Sequence, residues 1–135
     1  MNTWLFQSVP EHYDLRTEFR EGAEEMWRAS RYRSQIKPGD TVFFWMGGPQ
    51  DVRGLYGWGE IAGTPRFDPS DDQFEVGVVY RRKLEHPLLA SNIRKITPLD
   101  QMLIFRAPFG TNFPLSGQEA RAIIDLLPVS ERPRL

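Results

Sequence analysis

The sequence predicts an α+β fold in which a small, strongly curved, mixed β-barrel carries peripheral helices. Three observations lead to this prediction. Several short segments are rich in β-branched and aromatic residues, which favour strands. Glycines recur through one of these segments, at Gly54, Gly57, Gly59 and Gly63, as is typical of a sheet that bends sharply. Two other stretches carry apolar side chains at helical spacing. With 135 residues and no candidate linker, we expect one domain spanning residues 1–135.

Strands are predicted where an apolar or alternating run is bounded by turn residues. Residues 4–7 form an apolar run that ends before Pro10, which suggests a buried first strand. Residues 41–46, which follow the turn at Pro38 and Gly39, are the strongest strand signal in the chain. Residues 55–62 and 74–84 predict two further strands, and residues 102–105 a last one.

Helices are predicted in three places. Phe19, Ala23, Met26 and Trp27 recur at helical spacing and predict a helix over residues 17–28. A short helix is expected over residues 86–94. The segment 116–119 reads Ser-Gly-Gln-Glu, a capping box that predicts the start of a helix ending before Pro128. Beyond that proline we expect a loose tail.

Composition excludes several classes of site. The chain has no cysteine, so disulfides, thiolate catalysis and zinc–thiolate centres are excluded. Its 17 basic and 18 acidic residues give a net charge of -1, so attraction to nucleic acid must come from a local patch. No signal peptide or membrane span is visible, and we expect a cytoplasmic protein that has no cofactor.

A catalytic constellation is not visible in the sequence. His12 and His86 lie far apart in the chain, and neither belongs to a metal-binding or nucleophile motif. The aspartates mostly stand beside proline or glycine, where aspartate serves turns. The sequence therefore predicts a protein that is not an enzyme.

Aromatic residues are the unusual feature of the composition. They make up 13% of the chain and include four tryptophans, several of them close to hydroxyl, amide or guanidinium groups. Most are expected to fill the core of the barrel. A small barrel has limited interior room, so we expect some of them to line a concave site. Aromatic walls with a few polar groups suit a flat heteroaromatic ligand such as a nucleobase.

Five segments, in order along the chain, resemble the EVE domain family, which is related to the PUA and YTH modules. One carries Trp27-x-x-Ser30-Arg31-Tyr32 and leads into the Gly39-Asp40 turn and the aromatic strand. Another is the glycine-rich strand Gly54-Leu55-Tyr56-Gly57-Trp58-Gly59-Glu60-Ile61. The remaining three are residues 4–10, 67–69 and 113–120. The resemblance spans nearly the whole chain and implies a PUA-like barrel that recognises a modified base in DNA or RNA.

The resemblance also implies roles for individual residues. Trp27 is expected to be a stacking wall, with Trp45 or Tyr56 opposite it, and Gln7, Ser8 and Ser30 are expected to hydrogen-bond the edge of the base. Arg31 and Arg33 are expected to meet backbone phosphates, and Arg81 and Arg82 offer a second basic strip. Arg106, which stands between Phe105 and Ala107, is a further candidate for the pocket. In the thymocyte nuclear protein branch an acidic residue replaces Gln7-Ser8 and an asparagine stands near Arg31, so the base edge is expected to be contacted differently here.

Three functions remain open at the level of sequence. The first is a non-catalytic reader that takes one flipped-out modified cytosine or adenine into the aromatic pocket, alone or beside a nuclease or another defence protein. The second is an enzyme that acts on a nucleotide or a small heteroaromatic compound, with an Asp or Glu as acid–base group. The third is a small-molecule or nucleotide sensor, or a protein-interaction module, that uses the same pocket. The first is favoured by the resemblance and by the lack of a matched pair of catalytic groups.

Overall fold

The computed structural model describes residues 1–134. Its seven strands are β1 (Thr3–Ser8), β2 (Glu24–Arg28), β3 (Thr41–Met46), β4 (Gly54–Ile61), β5 (Arg66–Asp68), β6 (Gln73–Leu89) and β7 (Asn112–Leu115). Its α-helices are α1 (Leu15–Glu18), α2 (Ala90–Ile93), α3 (Leu103–Arg106) and α4 (Gly117–Leu126). Short 3-10 helices cover Leu99–Gln101 and Val129–Glu131.

The strands form one sheet in the order β2-β6-β4-β3-β1-β7, with β5 paired to β6. Strand β1 is parallel to β3, and every other pairing is antiparallel, so the sheet is mixed. It curls into a half-barrel with a few helices around it, as the sequence predicted. Register shifts in the β3–β4 and β4–β6 pairs accompany this curvature, because a bulge bends a strand and increases its twist.

The two faces of the sheet bury two separate hydrophobic clusters, since successive side chains of a strand point to opposite faces. The Trp27 cluster consists of Trp4, Phe6, Leu15, Phe19, Trp27, Ala29, Ile36, Val42, Phe44, Met46, Tyr56, Ile61, Val76, Val78 and Tyr80. The Trp45 cluster consists of Leu5, Phe43, Trp45, Leu55, Leu84, Ala90, Ile93, Leu99, Met102, Ile104, Phe113, Ile123, Ile124 and Leu127. Helices α2, α3 and α4 contribute only to the second cluster.

Strands β1, β3, β4 and β6 lie close to where the sequence predicts them, and α4 is confirmed with its capping box. Ser116 Oγ accepts from the Glu119 amide at 3.1 Å, and a Glu119 carboxylate oxygen accepts from the Ser116 amide at 2.9 Å. The box satisfies amides that the first turn of a helix leaves unpaired. Strand β6 extends to Leu89, so the expected helix over residues 86–94 is reduced to Ala90–Ile93.

The prediction of a helix over residues 17–28 is wrong. Only Leu15–Glu18 is helical, Gly22 turns the chain with φ 87°, and residues 24–28 pair with β6 as strand β2. Trp27 is the one buried residue of this strand, at 7% exposed, whereas its neighbour Met26 is 55% exposed. Pairing with a strand some fifty residues later overrides the local helical pattern, a long-range effect to which sequence periodicity is insensitive.

Two predictions near the C-terminus are also wrong. Residues 103–106 are helical, and the last strand is instead β7, which contains Pro114. Proline is tolerated there because β7 is an edge strand that pairs only with β1. The tail is packed: Glu131 is buried, and its carboxylate accepts from the Glu85 amide at 2.8 Å and lies 3.4 Å from Arg82 Nε.

Among residues 1–134, no helix has both the length and the apolar character needed to cross a membrane.

Candidate functional site

A cavity of about 570 Å³ opens on the side of the Trp27 cluster, between the two edges of the curled sheet. Its wall is formed by the end of β1 and the turn after it, by residues 26–28 of the edge strand β2, and by the loop 108–111 that leads into the other edge strand, β7. The cavity therefore occupies the seam that an incompletely closed barrel leaves open.

Trp27 lines the cavity and is fixed from within the protein. Its indole Nε1 donates to the hydroxyl of Tyr80 at 2.9 Å, and that hydroxyl shares a second hydrogen bond of 2.8 Å with Tyr13. The Tyr13 ring meets the Trp27 ring edge-on, with centroids 5.7 Å apart, and Phe44 packs 5.2 Å away on the core side. These contacts hold the Trp27 ring in one orientation at the wall of the cavity.

The two tyrosines remain neutral in this setting. Burial raises the pKa of Tyr80 well above its ordinary value, and burial also raises the pKa of Tyr13. Desolvation penalises the phenolate, so the neutral hydroxyls persist as hydrogen-bonding groups behind the cavity wall.

Gln7 joins β1 to the opposite wall. Its side-chain amide Nε2 donates to the carbonyl of Pro108 at 3.0 Å and to that of Gly110 at 2.9 Å, and its backbone amide donates to the carbonyl of Thr111 at 2.8 Å. Because carbonyls only accept, these bonds fix which side of the Gln7 amide faces the loop. The glutamine therefore holds the loop 108–111 against the cavity.

The Ser8 hydroxyl makes no hydrogen bond within residues 1–134. Ser8 lines the cavity, and its Oγ is buried. A buried hydroxyl without a partner is costly, and its presence beside a cavity suits a group that a ligand completes. A serine hydroxyl can donate or accept, so it can pair with several base edges.

Asn112 links the two edge strands of the sheet through side-chain hydrogen bonds. It is only 2% exposed, and its side-chain Oδ1 accepts from the amides of Ser30 at 3.0 Å and Arg31 at 3.4 Å. Its Nδ2 donates to the carbonyl of Arg28 at 2.9 Å. Since Asn112 begins β7 and Arg28 ends β2, this side chain bonds one edge of the sheet to the other beside Trp27.

Basic residues lie around the mouth of the cavity. Arg28 and His12 line the cavity, and both are exposed. Arg31 is also exposed on the turn that follows β2. The Arg33 side chain already has partners within the protein. Its guanidinium lies 4.0 Å from the centroid of the Phe74 ring and donates to the carbonyl of Ser30 at 2.9 Å. Within residues 1–134 the lining of the cavity contains no carboxylate.

Some residues predicted for the pocket lie elsewhere. Trp45 belongs to the cluster on the opposite face of the sheet, because it follows Phe44 in β3 and neighbouring side chains point to opposite faces. Tyr56 is buried inside the Trp27 cluster, and its hydroxyl donates to the carbonyl of Val52 at 2.5 Å. Arg106 is exposed at the end of α3 and donates to the carbonyl of Gln101.

The predicted second basic strip is engaged in ion pairs. Arg81 Nε lies 3.2 Å from Glu60, and Arg82 Nε lies 3.4 Å from Glu131 and 3.9 Å from Glu21. Arg81 stands five residues along β6 from Val76, the partner of Trp27 in the β2–β6 register. That spacing corresponds to about 17 Å of strand, so the strip is separate from the cavity mouth.

The structure thus brings Gln7, Ser8 and Trp27 together at the cavity, with Ser30 and Arg31 on the adjoining turn. Sequence reasoning missed Tyr80 and Asn112. The alternation of Val76, Val78 and Tyr80 was a usable signal, since it places the tyrosine on the same face as the core. No local pattern marks Asn112, because its role depends on two strand edges that meet only in the fold.

Comparison with known structures supports the fold. The human THYN1 protein, solved in complex with 5-methylcytosine-containing DNA, is 20% identical with a TM-score of 0.72, over 93% of this chain and 97% of that one. The DUF55 domain of human thymocyte nuclear protein 1 is 21% identical with a TM-score of 0.66, over 90% and 95%. A Pseudomonas syringae protein is 18% identical with a TM-score of 0.74, over 92% and 98%.

A more distant fold neighbour is an ASCH protein from Zymomonas mobilis, solved as a mutant, which is 10% identical with a TM-score of 0.58 over 95% of this chain and 100% of that one. Comparison with curated proteins finds no similar sequence. The EVE domain matches residues 2–126, which is nearly the whole chain. By this match the chain belongs to the EVE domain family.

Proposed function

We propose that this protein is a non-catalytic module that recognises one modified nucleobase, a cytosine or adenine of DNA or RNA, by holding it in the Trp27 cavity. The observation that carries the proposal is that one cavity is lined both by a tryptophan with a fixed indole and by a serine whose buried hydroxyl has no partner among residues 1–134. An aromatic wall holds a base by stacking, and a nearby polar group discriminates its edge.

The size of the cavity fits this ligand. Its volume of about 570 Å³ lies within the usual range for small-molecule sites, which is roughly 300–1,000 Å³. Discrimination of one methyl group is worth about 1–3 kcal/mol, so we expect a modest preference for the modified strand.

The charges around the mouth suit a phosphate backbone only locally. Arg28 lines the cavity and Arg31 lies on the turn after β2, and both are exposed, whereas the whole chain carries a net charge of -1. Few phosphates are neutralised in this arrangement, so binding is expected to be weak and salt-dependent. A reader of this kind acts best beside a partner that supplies the chemistry, such as a nuclease or another defence protein.

The relatives point in the same direction. THYN1, which shares the fold, was solved with DNA that contains 5-methylcytosine. That observation belongs to THYN1, and it makes 5-methylcytosine the first base to test here. The lining contains Gln7 and Ser8, which can bond to a base edge but carry no charge.

The test is fluorescence anisotropy at low salt with labelled oligonucleotides that differ only in one base. The panel contains 5-methylcytosine, 5-hydroxymethylcytosine, N6-methyladenine and the unmodified parents. We expect the wild-type protein to prefer one modified strand and Trp27→Phe to weaken that binding severalfold, because the smaller ring offers the base less stacking surface.

Trp45→Phe is the matched control, because it makes the same change on the opposite face of the sheet. It should keep the preference of the wild-type protein. Equal affinity for every oligonucleotide would exclude the reader. In that case, binding of free nucleosides or metabolites would identify a small-molecule sensor that uses the same cavity.

A further inference from the structure

The loop beside the cavity carries an aromatic side chain at its tip. Phe109 is 80% exposed and lines the mouth of the cavity. The carbonyls on either side of it, those of Pro108 and Gly110, both accept from the Gln7 side chain. Gly110 has φ 102°, which favours glycine and turns the chain back toward β7. The backbone under the ring is therefore held in place while the ring stands in solvent.

A second exposed apolar side chain stands on the same mouth. Met26 on β2 is 55% exposed and also lines the cavity. The large hydrophobic side chains that residues 1–134 expose are Met1, Met26, Phe67, Phe109 and Val129. A single exposed apolar residue is ordinary, but two at one cavity mouth indicate a surface that is covered when the ligand binds.

We propose that Phe109 is a wedge that enters the base stack of a double-stranded partner and occupies the place left by the base that the cavity holds. The proposal rests on the proposed function and adds the form of the partner, which is a duplex. Moving a base out of a duplex breaks its stacking on both neighbours. Apolar side chains such as Phe and Met insert at such steps and stabilise the opened stack.

Phe109 and Trp27 occupy different positions relative to the cavity, and this gives them different roles. Trp27 is 7% exposed and contacts whatever lies inside the cavity, whereas Phe109 is mostly outside it. Phe109 therefore contributes only when the base must leave a stack. A free nucleoside, or a base that is already unpaired, gains little from it.

The experiment compares Phe109→Ala with the wild-type protein on two ligands. One is the oligonucleotide of the panel that the wild-type protein binds most tightly, annealed to its complement as a duplex, and the other is the free nucleoside of the same modified base. We expect Phe109→Ala to weaken duplex binding by roughly tenfold, as for loss of one stacking partner, and to leave nucleoside binding within about twofold. Phe109→Leu, which keeps an apolar wedge, should recover most of the duplex affinity.

Phe67→Ala is the matched control, since Phe67 is the other strongly exposed phenylalanine (48%) and lies on β5, outside the cavity lining. It should bind both ligands like the wild-type protein. A 2-aminopurine placed next to the modified base gives an independent readout. It should be brighter in the Phe109→Ala complex, where the gap in the stack is not filled.

The outcomes separate the two proposals. If Phe109→Ala loses affinity equally for the duplex and for the nucleoside, Phe109 is part of the pocket wall. If its affinity for the duplex is unchanged, Phe109 does not enter the base stack. Either result overturns the wedge. A wild-type protein that binds nucleosides but prefers no modified duplex overturns both the wedge and the reader. A normal preference in the wild-type protein, with no effect of Phe109→Ala, overturns the wedge alone.

Discussion

Trp27 and Trp45 are both buried in the same curved sheet, yet their surroundings differ. Trp27 stands between the sheet edges, where an open cavity meets the core, and its indole N–H is bonded to Tyr80. Trp45 lies on the other face beneath the helices, 5.7 Å from the Phe105 ring, and its indole N–H has no partner among residues 1–134. The comparison teaches that the tryptophan at the cavity wall is fixed by hydrogen bonds, whereas the one in the closed core is held by packing.

The largest effect is expected in the closed cluster. Trp45→Ala removes a side chain that is 1% exposed and leaves a cavity among packed neighbours. We expect a loss of about 3–5 kcal/mol in the free energy of unfolding, as for other large-to-small core changes, measured by urea denaturation followed by circular dichroism. The folded fraction should retain its preference for the modified base. A loss below about 1 kcal/mol would show that this cluster is not tightly packed.

Asn112→Ala tests the seam between the two edges. It leaves the amide of Ser30 and the carbonyl of Arg28 without their partner. Since Asn112 makes three hydrogen bonds and each contributes about 0.5–1.5 kcal/mol net, we expect a loss of roughly 2–3 kcal/mol in stability. The wall at Trp27 should loosen, and binding of the modified strand should weaken. The exposed Asn92 provides the control, since Asn92→Ala removes a side chain of the same type away from the seam.

Tyr80→Phe tests how the cavity wall is fixed. The substitution keeps the ring in the core but removes the acceptor of the Trp27 indole and the partner of Tyr13. We expect a loss of about 1–2 kcal/mol in the free energy of unfolding. Trp27 should become more mobile, which a broadened indole N–H resonance in the NMR spectrum would reveal. An unchanged resonance would mean that packing alone holds the ring.

The same hydroxyls predict how stability depends on alkaline pH. Burial raises the pKa of Tyr80 and of Tyr13 in the folded protein, whereas in the unfolded chain a tyrosine titrates near about 10. The folded state therefore keeps these protons when the unfolded state loses them, so their stabilisation is present below about pH 10 and is lost as the pH rises further. The free energy of unfolding should fall less steeply above about pH 10 in Tyr80→Phe than in the wild-type protein. Equal slopes would contradict the assignment.

How much of the fold the sequence predicts differs from one element to the next. The capping box before α4 and the aromatic run of β3 are local signals, and both elements form where those signals place them. Residues 24–28 follow a helical pattern but form a strand, because pairing with β6 depends on residues about fifty positions away. Local patterns therefore predict elements well only where long-range pairing agrees with them.

The candidate site shows the same limit at the level of side chains. Gln7, Ser8 and Trp27 were predicted for the pocket, and all three line the cavity. Trp45 was predicted as well, but the register of β3 directs it to the other face. Aromatic character is visible in the sequence, whereas the face of the sheet that a side chain occupies depends on the fold.

The smallest expected effect on stability is also the sharpest test of the comparison. Ser8 Oγ and Trp45 Nε1 are both buried polar atoms without partners among residues 1–134, one beside the cavity and one in the closed cluster. Ser8→Ala should change the free energy of unfolding by less than about 0.5 kcal/mol, because no hydrogen bond within the protein is lost. If the hydroxyl serves a ligand, the same change should weaken binding of the modified strand by about fivefold or more, as for loss of one hydrogen bond. Trp45→Phe removes the other unpartnered atom and should leave that affinity unchanged, so equal binding by both variants would remove Ser8 from the site.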